Sequence, residues 1–302
     1  MRNYIIGSLV EIDHGKTQML GLKRLVRRNH KVASASPVDG IFDQYCREAP
    51  SHQNAVDALP GWNSAFPGEA NIRAGTHPLF ADGRIAWAID QAGSLENKRI
   101  LEIGPLEGMH TYMLNRHKPA IIDAIEANRL CFQRCLVTKE ILGIDRARFY
   151  LGDAVRWLQE NSLHYDLAVA SGVLYHMADP GQFLCDITQR CDNLFIWTHY
   201  FDEVAMPRHD SRRLAFSGNV MSRHYAGVPV NYYERGYFSA NEKQNFCGGM
   251  KDRHYWMTRS DIEALLSALG FADIVISHND PNHGGGPCLS IFAKRTSWSQ
   301  AR

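Results

Sequence analysis

The sequence predicts an α/β protein: a seven-stranded, mainly parallel sheet with helices on both faces, closed by an antiparallel hairpin. Three observations carry this. From Asp82 onward, short apolar runs alternate with segments of helical period. The apolar runs end in acidic or small residues, namely Glu102 with Gly104, Glu126, Asp153, and Ser171 with Gly172. The last two runs have no helix between them, so they should pair in opposite directions.

The elements follow in order. "DGRIAWAIDQAG" (82–93) places Ile85, Ala88, Ile89 and Ala92 at helical spacing and stops at Gly93. "RILEIG" (99–104) is a short buried strand, followed by a glycine-containing loop and a helix-like segment. "PAIIDAIEA" (119–127) is the second strand. The helix after it, "NRLCFQRCLVTKEILG" (128–143), has Asn128 as N-cap and Gly143 as its stop. Its expected apolar stripe is Leu130, Phe132, Leu136, Val137 and Ile141. "ARFYLGD" (147–153) and "YDLAVASG" (165–172) are the third and fourth strands. Asp179 then caps a helix with Pro180 at its first position, and Phe183, Leu184, Ile187 and Cys191 face the sheet. "NLFIWTHY" (193–200) is the fifth strand. After residue 257 the rhythm returns with a helix in "TRSDIEALLSALG" (258–270), capped by Thr258 or Ser260. "ADIVISHND" (272–280) and "PCLSIFAKR" (287–295) form the closing hairpin. The chain therefore divides into an irregular amino-terminal extension with short helices (1–75), a ligand-binding half (76–201), an inserted segment or lid (202–257) and the end of the core (258–302).

Composition narrows the class. The 302 residues are 45% hydrophobic and 22% charged, as in an ordinary soluble enzyme. Thirty-three basic residues against 32 acidic leave a net charge of +1, which gives no overall attraction to a polyanion. Seven cysteines without a Cys-x-x-Cys pair argue for reduced thiols and against a disulfide framework or structural zinc site. No apolar run reaches the roughly 18 residues of a membrane span, and the amino end lacks a signal-like stretch. The expected location is the cytoplasm. "EIDHGKT" (11–17) imitates a phosphate loop, but Val10 stands where that pattern needs glycine, and Asp13 would crowd the phosphate. The basic run Lys23, Arg24, Arg27, Arg28 and Lys31 reads as a solvated helix face.

In open sheets, ligands bind beyond the carboxyl ends of the strands. "LEIGPLEG" (101–108) offers Gly104 and Gly108 there, with Leu106 where a pyrophosphate loop has its middle glycine. Pro105 and Glu107 also suit a phosphate poorly. Glu126, at about twenty residues from Gly104, is placed to accept hydrogen bonds from ribose hydroxyls. Acids at successive strand ends favour a ligand that carries positive charge.

The run from about 82 to 200 resembles the class I S-adenosylmethionine-dependent methyltransferases. "LEIGPLEG" resembles their glycine-rich first motif, "AIEAN" the second, "LGDA" the third and "DLAVASGVLYHMADP" the fourth. The closing helix and two strands resemble that family's carboxyl end. The resemblance implies a Rossmann-like fold and S-adenosylmethionine as cofactor. It implies Gly104 and Gly108 along the methionine part, with Glu102 near the ammonium. It implies Glu126 on the ribose, Asp153 and Ala154 at the adenine, and Ser171 beneath the cofactor. The departures are Pro105, Leu106 and Glu107. "LCFQRCLVTKEILG" and "SGVLYHMADP" also resemble the bacterial tRNA wobble-uridine carboxymethyltransferase, which holds a carboxylated cofactor with a lysine in the helix before strand one. Here that helix has no lysine, although Arg84 is close, so plain methyl transfer is the leading expectation.

Tyr175 and His176 lie just beyond strand four and are the candidate catalytic residues, His176 as a general base or else as a turn cap. His199 and Tyr200 are weaker candidates of the same kind. The inserted segment carries Tyr225, Tyr232, Tyr233, Tyr237, Tyr255 and Trp256, which either stack on an acceptor or pack on the sheet. His278, Asp280 and His283 hint at a metal, but Pro281 and the glycines around them read as a turn, and no metal is expected. The leading function is methyl transfer to a small-molecule or glycan-type metabolite. The alternatives are a tRNA-modifying enzyme, a non-catalytic nucleotide-binding protein, and an NAD-dependent oxidoreductase that would need the missing glycine.

Overall fold

Strand, capped helix, strand is the unit that repeats through the middle of the chain. The computed structural model describes residues 44–296, apart from 239 and 244. The segments read above at 11–17 and 22–31 lie outside the described residues.

The described chain opens with helix α1 (His52–Asp57) and α2 (Gly83–Ala92). Four strand–helix units follow: β1 (Arg99–Ile103) with α3 (Met109–Asn115), β2 (Ile121–Glu126) with α4 (Arg129–Leu142), β3 (Ala147–Leu151) with α5 (Ala154–Glu160), and β4 (Tyr165–Ser171) with α6 (Pro180–Thr188). β5 (Cys191–His199) completes the parallel part. β6 (Phe216–Tyr225), β7 (Val228–Arg235) and β8 (His254–Trp256) come next, then α7 (Arg259–Ala268), β9 (Asp273–Asp280) and β10 (Cys288–Lys294).

The main sheet has seven strands in the order β3-β2-β1-β4-β5-β10-β9. β1 to β5 pair in parallel, while β10 runs antiparallel to both β5 and β9, as the two unseparated closing runs require. Strand order reverses between β1 and β4, and a crevice opens at such a switch. One apolar layer packs Phe183, Leu184 and Ile187 of α6 with Leu265 and Leu266 of α7. The opposite face carries Ile85, Ala88 and Ile89 of α2 with Phe195 and Phe292. No helix among the described residues is long and apolar enough to cross a membrane.

Capping chemistry sets the helix starts. Asp82, Asn128, Asp153, Asp179 and Thr258 each accept a backbone N–H with the side chain at the head of the following helix. Of the two caps considered for α7, the structure uses Thr258.

Two expectations need correction. The buried face of α4 is Cys131, Arg134, Cys135 and Thr138, and Leu136 of the expected stripe is exposed. At Cys135 and Thr138 that face must stay small because the glycine loop lies against it: a Cβ on Gly108 would meet Thr138 and the Cys135 backbone at 3.6 and 3.7 Å. Val137 and Ile141 turn instead toward the amino-terminal segment, in a cluster with Val56, Phe66, Leu79 and Met109. The second correction concerns residues 202–257, where little periodicity is legible. Three strands form there, in a second antiparallel sheet ordered β6-β7-β8. It docks on the head of α6 through Asp179, whose Oδ1 accepts from Tyr225 at 2.6 Å and Tyr232 at 2.8 Å.

Candidate active site

A cavity of about 650 Å³ lies at the carboxyl ends of β1, β2, β4 and β5 and the start of α5, a volume within the range of cofactor and ligand pockets. It brings together Gly104, Glu126, Asp153, Ala154, Ser171, Tyr175 and His176. Glu102 and Gly108 are not among the described residues that line it. Glu102 is buried behind the loop, and its Oε2 accepts from the Thr111 hydroxyl at 2.6 Å. Burial raises the Glu102 pKa, with the Thr111 hydrogen bond acting the other way.

The loop after β1 uses up its own amides. Gly104 N–H donates to Ile125 O at 2.9 Å and Gly108 N–H to Pro105 O at 2.9 Å. Pro105 has no N–H to give. Leu106 sits at φ 59°, a left-handed conformation that disfavours a side chain, and donates its N–H to Glu126 Oε2 at 3.1 Å. A nest of free amides for a phosphate is therefore missing from these four positions.

Glu126 holds the second strand end. Its Oε1 accepts from Asn128 N–H at 2.8 Å, so each carboxylate oxygen has one backbone donor and a lone pair to spare. Burial pushes its pKa up to about 7, although those amides act the other way. Asp153 caps α5 through Val155 N–H at 2.9 Å while lining the cavity.

Glu107, the acid that looked misplaced in the loop, faces away from the cavity. Its side chain is fully buried, and Oε1 pairs with Arg134 at 3.1 Å. It also accepts Asn63 N–H at 2.9 Å and Ser64 N–H at 2.7 Å, pinning the amino-terminal segment under the loop. Gly75 makes that fold-back work, because a Cβ there would lie 2.2 Å from the Asn63 backbone.

The segment so pinned contributes a second polar group. Asp82 takes Arg84 Nε at 2.9 Å and His110 Nε2 at 2.9 Å, and both partners line the cavity. Burial acts to raise the Asp82 pKa, but hydrogen bonds from His110 and Arg84 outweigh it and hold the carboxyl well below the usual range. The Arg84 guanidinium also stacks over Trp197 at 4.3 Å.

Residues 246–251 of the inserted segment roof the cavity. Asn128 Nδ2 reaches Phe246 O at 3.3 Å, and Gly249 N–H donates to the Tyr237 hydroxyl at 2.8 Å. That hydroxyl is bonded in turn to His176 Nδ1. The hydroxyl fixes the ring through Nδ1 and leaves Nε2 as the nitrogen without a partner among the described residues. Burial, followed by the nearby His254 and Arg235, holds His176 well below the ordinary histidine pKa, so the ring is neutral. Tyr175 is 8% exposed and packs edge-on to Trp197, and burial raises its pKa, so it stays a phenol. His199 is 3% exposed and bonds Gly286 O at 2.9 Å, and Tyr200 bonds Asn279 at 3.0 Å. Neither lines the cavity among the described residues.

Sequence reasoning missed the Glu107–Arg134 pair and the Asp82–Arg84–His110 cluster, and within its expected lid at 202–257 it did not single out 246–251. Only Asp82, as a helix cap, left a local signal.

No protein-family model matches the chain, and no curated protein sequence matches it. Among solved structures, the chain is similar to the N-terminal domain of EvdMO1 with SAH bound, at 21% identity and a TM-score of 0.62, covering 82% of this chain and 100% of that one. The same domain in the presence of SAH and D-fucose gives 21% identity and a TM-score of 0.61, with 82% and 100% covered. Against the EvdMO1 structure solved beyond that domain, the chain spans 46% of the other's length and 81% of its own, at 19% identity and a TM-score of 0.53. This likeness establishes the fold: a Rossmann-like sheet shared with the SAH-bound EvdMO1 domain.

Proposed function

We propose that the protein binds S-adenosylmethionine in this cavity and transfers its methyl group to a small-molecule or glycan-type acceptor. The observation that carries the reading is the loop whose amides are already committed, set beside a buried Glu126 with lone pairs free. That donor set fits a ligand with ribose hydroxyls and positive charge, and it fits a pyrophosphate poorly. When bound, the cofactor supplies an activated methyl group that an acceptor takes by in-line displacement. Positioning provides much of the acceleration in such a transfer.

In this reading Glu126 accepts the ribose hydroxyls, Asp153 and Ala154 meet the adenine, and Ser171 lies beneath the ligand. Gly104 permits close backbone approach, while Glu102 and Gly108 act from behind the loop. Tyr175, Trp197 and Phe183 give the acceptor end an apolar, aromatic wall, which suits a small molecule. The roof excludes water. His176 meets the acceptor through Nε2, as a donor or as a base according to its tautomer. Arg84 is committed to Asp82 and Trp197, which favours the ordinary methyl cofactor over a carboxylated one.

Calorimetric titration with S-adenosylmethionine, NAD and GTP tests the reading. Binding of S-adenosylmethionine alone is expected, weakened in Glu126→Ala, followed by S-adenosylhomocysteine release when metabolite pools are supplied. Tighter binding of NAD, or no binding of S-adenosylmethionine, would sink it.

A further inference from the structure

A second cluster of chemistry-bearing side chains stands behind the cavity wall. His199 ends β5 and Cys288 begins β10, and the two are directly paired in the antiparallel register. Residues opposite each other in such a pair project from the same face with Cβ atoms about 5 Å apart. His283, in the turn between β9 and β10, folds over them. One ligand atom from each of the three residues lies within 4.8 Å of the others.

The surroundings prepare these groups for an ion. His199 Nδ1 is turned to Gly286 O at 2.9 Å and Pro287 O at 3.3 Å, which leaves Nε2 as its free nitrogen. No hydrogen bond reaches Nε2 among the described residues, although His199 is only 3% exposed. A carbonyl on one imidazole nitrogen and an open site on the other is the orientation of a metal-ligating histidine. A Cβ on Gly285 would lie 3.3 Å from His199 Nε2 and 3.4 Å from His283 Nδ1, so the two nitrogens face one common space. His283 Nδ1 now accepts Gly285 N–H at 3.1 Å, a turn hydrogen bond that a metal ion would replace.

We propose that His199, His283 and Cys288 form a zinc-binding site, with the fourth position open to water. The ligand set is two imidazoles and a thiolate, a combination that suits a tetrahedral ion of borderline softness. Bonds of about 2.0–2.3 Å put the ligand atoms roughly 3.5 Å apart, so each moves about an ångström or less to close on the ion. Cys288 gives up its proton on binding. Of the three residues in the sequence that hinted at a metal, only His283 takes part. His278 packs against Trp87 at 6.1 Å, and Asp280 pairs with Cys288 across the hairpin, adding negative charge nearby. The ion ties the β9–β10 turn to the end of β5, where Trp197 and Tyr175 wall the cavity.

The test uses the full chain stripped with chelator, then titrated with zinc against a chromophoric competitor and, separately, with cobalt(II). The expected result is one zinc per chain and a sulfur-to-cobalt charge-transfer band. Cys288→Ser should abolish the band. His283→Ala, on a half-buried turn where the fold should stand, should weaken zinc about 100-fold with an unchanged circular dichroism spectrum. Absence of stoichiometric zinc and of the cobalt–thiolate band overturns the proposal, as does a His283→Ala protein that binds zinc as tightly as the parent.

Discussion

Glu107→Ala probes how the amino-terminal segment is held to the core. The substitution removes the partner of a guanidinium that is 1% exposed, from a carboxylate that is fully buried, at 3.1 Å. It also removes the acceptor of two backbone amides, Asn63 and Ser64. Breaking a buried pair from one side costs about 3–5 kcal/mol, because the remaining charge stays desolvated. Orphaned amides cost about 1–3 kcal/mol each when dry, but water entering the vacated space can serve them, so the net expectation stays at about 3–5 kcal/mol. For a chain of this size that is a fall in Tm on the order of 10 °C. Urea unfolding should show a lower midpoint at unchanged slope, and limited proteolysis should cut first within residues 44–82. Adding Arg134→Met should recover much of the loss, since an apolar replacement of both partners leaves no buried charge. A Glu107→Ala protein within about 1 kcal/mol of the parent, with its amino-terminal segment still protected, would refute the reasoning.

Two further outcomes follow from the cavity. Glu126, pushed up to about 7 by burial, must be ionised to accept both ribose hydroxyls, so as pH falls the free protein becomes protonated there and must lose that proton to bind the ligand. Affinity for S-adenosylmethionine should therefore drop about tenfold from pH 8 to pH 6, and Glu126→Gln should flatten that slope; a flat profile in the parent removes Glu126 from the site. Gly249→Ala places a methyl 2.5 Å from the His176 carbonyl and 3.2 Å from the Tyr237 hydroxyl. The roof must shift, so stopped-flow measurement should find faster ligand release from a fold of unchanged stability, and release at the parental rate would mean that 246–251 is no lid.

The sheet was legible because its rules are local. Alternating apolar runs, caps such as Asn128 and Asp179, and a hairpin without a helix all announce themselves within a dozen residues. So did Glu126, because it stands at the end of a strand, and strand ends in open sheets point at the ligand. Glu107 stood out in the loop only as a poor fit to a phosphate, because its partners lie 43 and 44 residues before it, at Ser64 and Asn63, and 27 after it, at Arg134. The stripe on α4 failed because the amino-terminal segment covers a second flank of that helix. The amino-acid sequence by itself determined the order of elements and the strand ends that frame the cavity. Only the tertiary structure decided which acids face it, what roofs it, and that His199, His283 and Cys288 meet, because those contacts join segments whose separation no local pattern records.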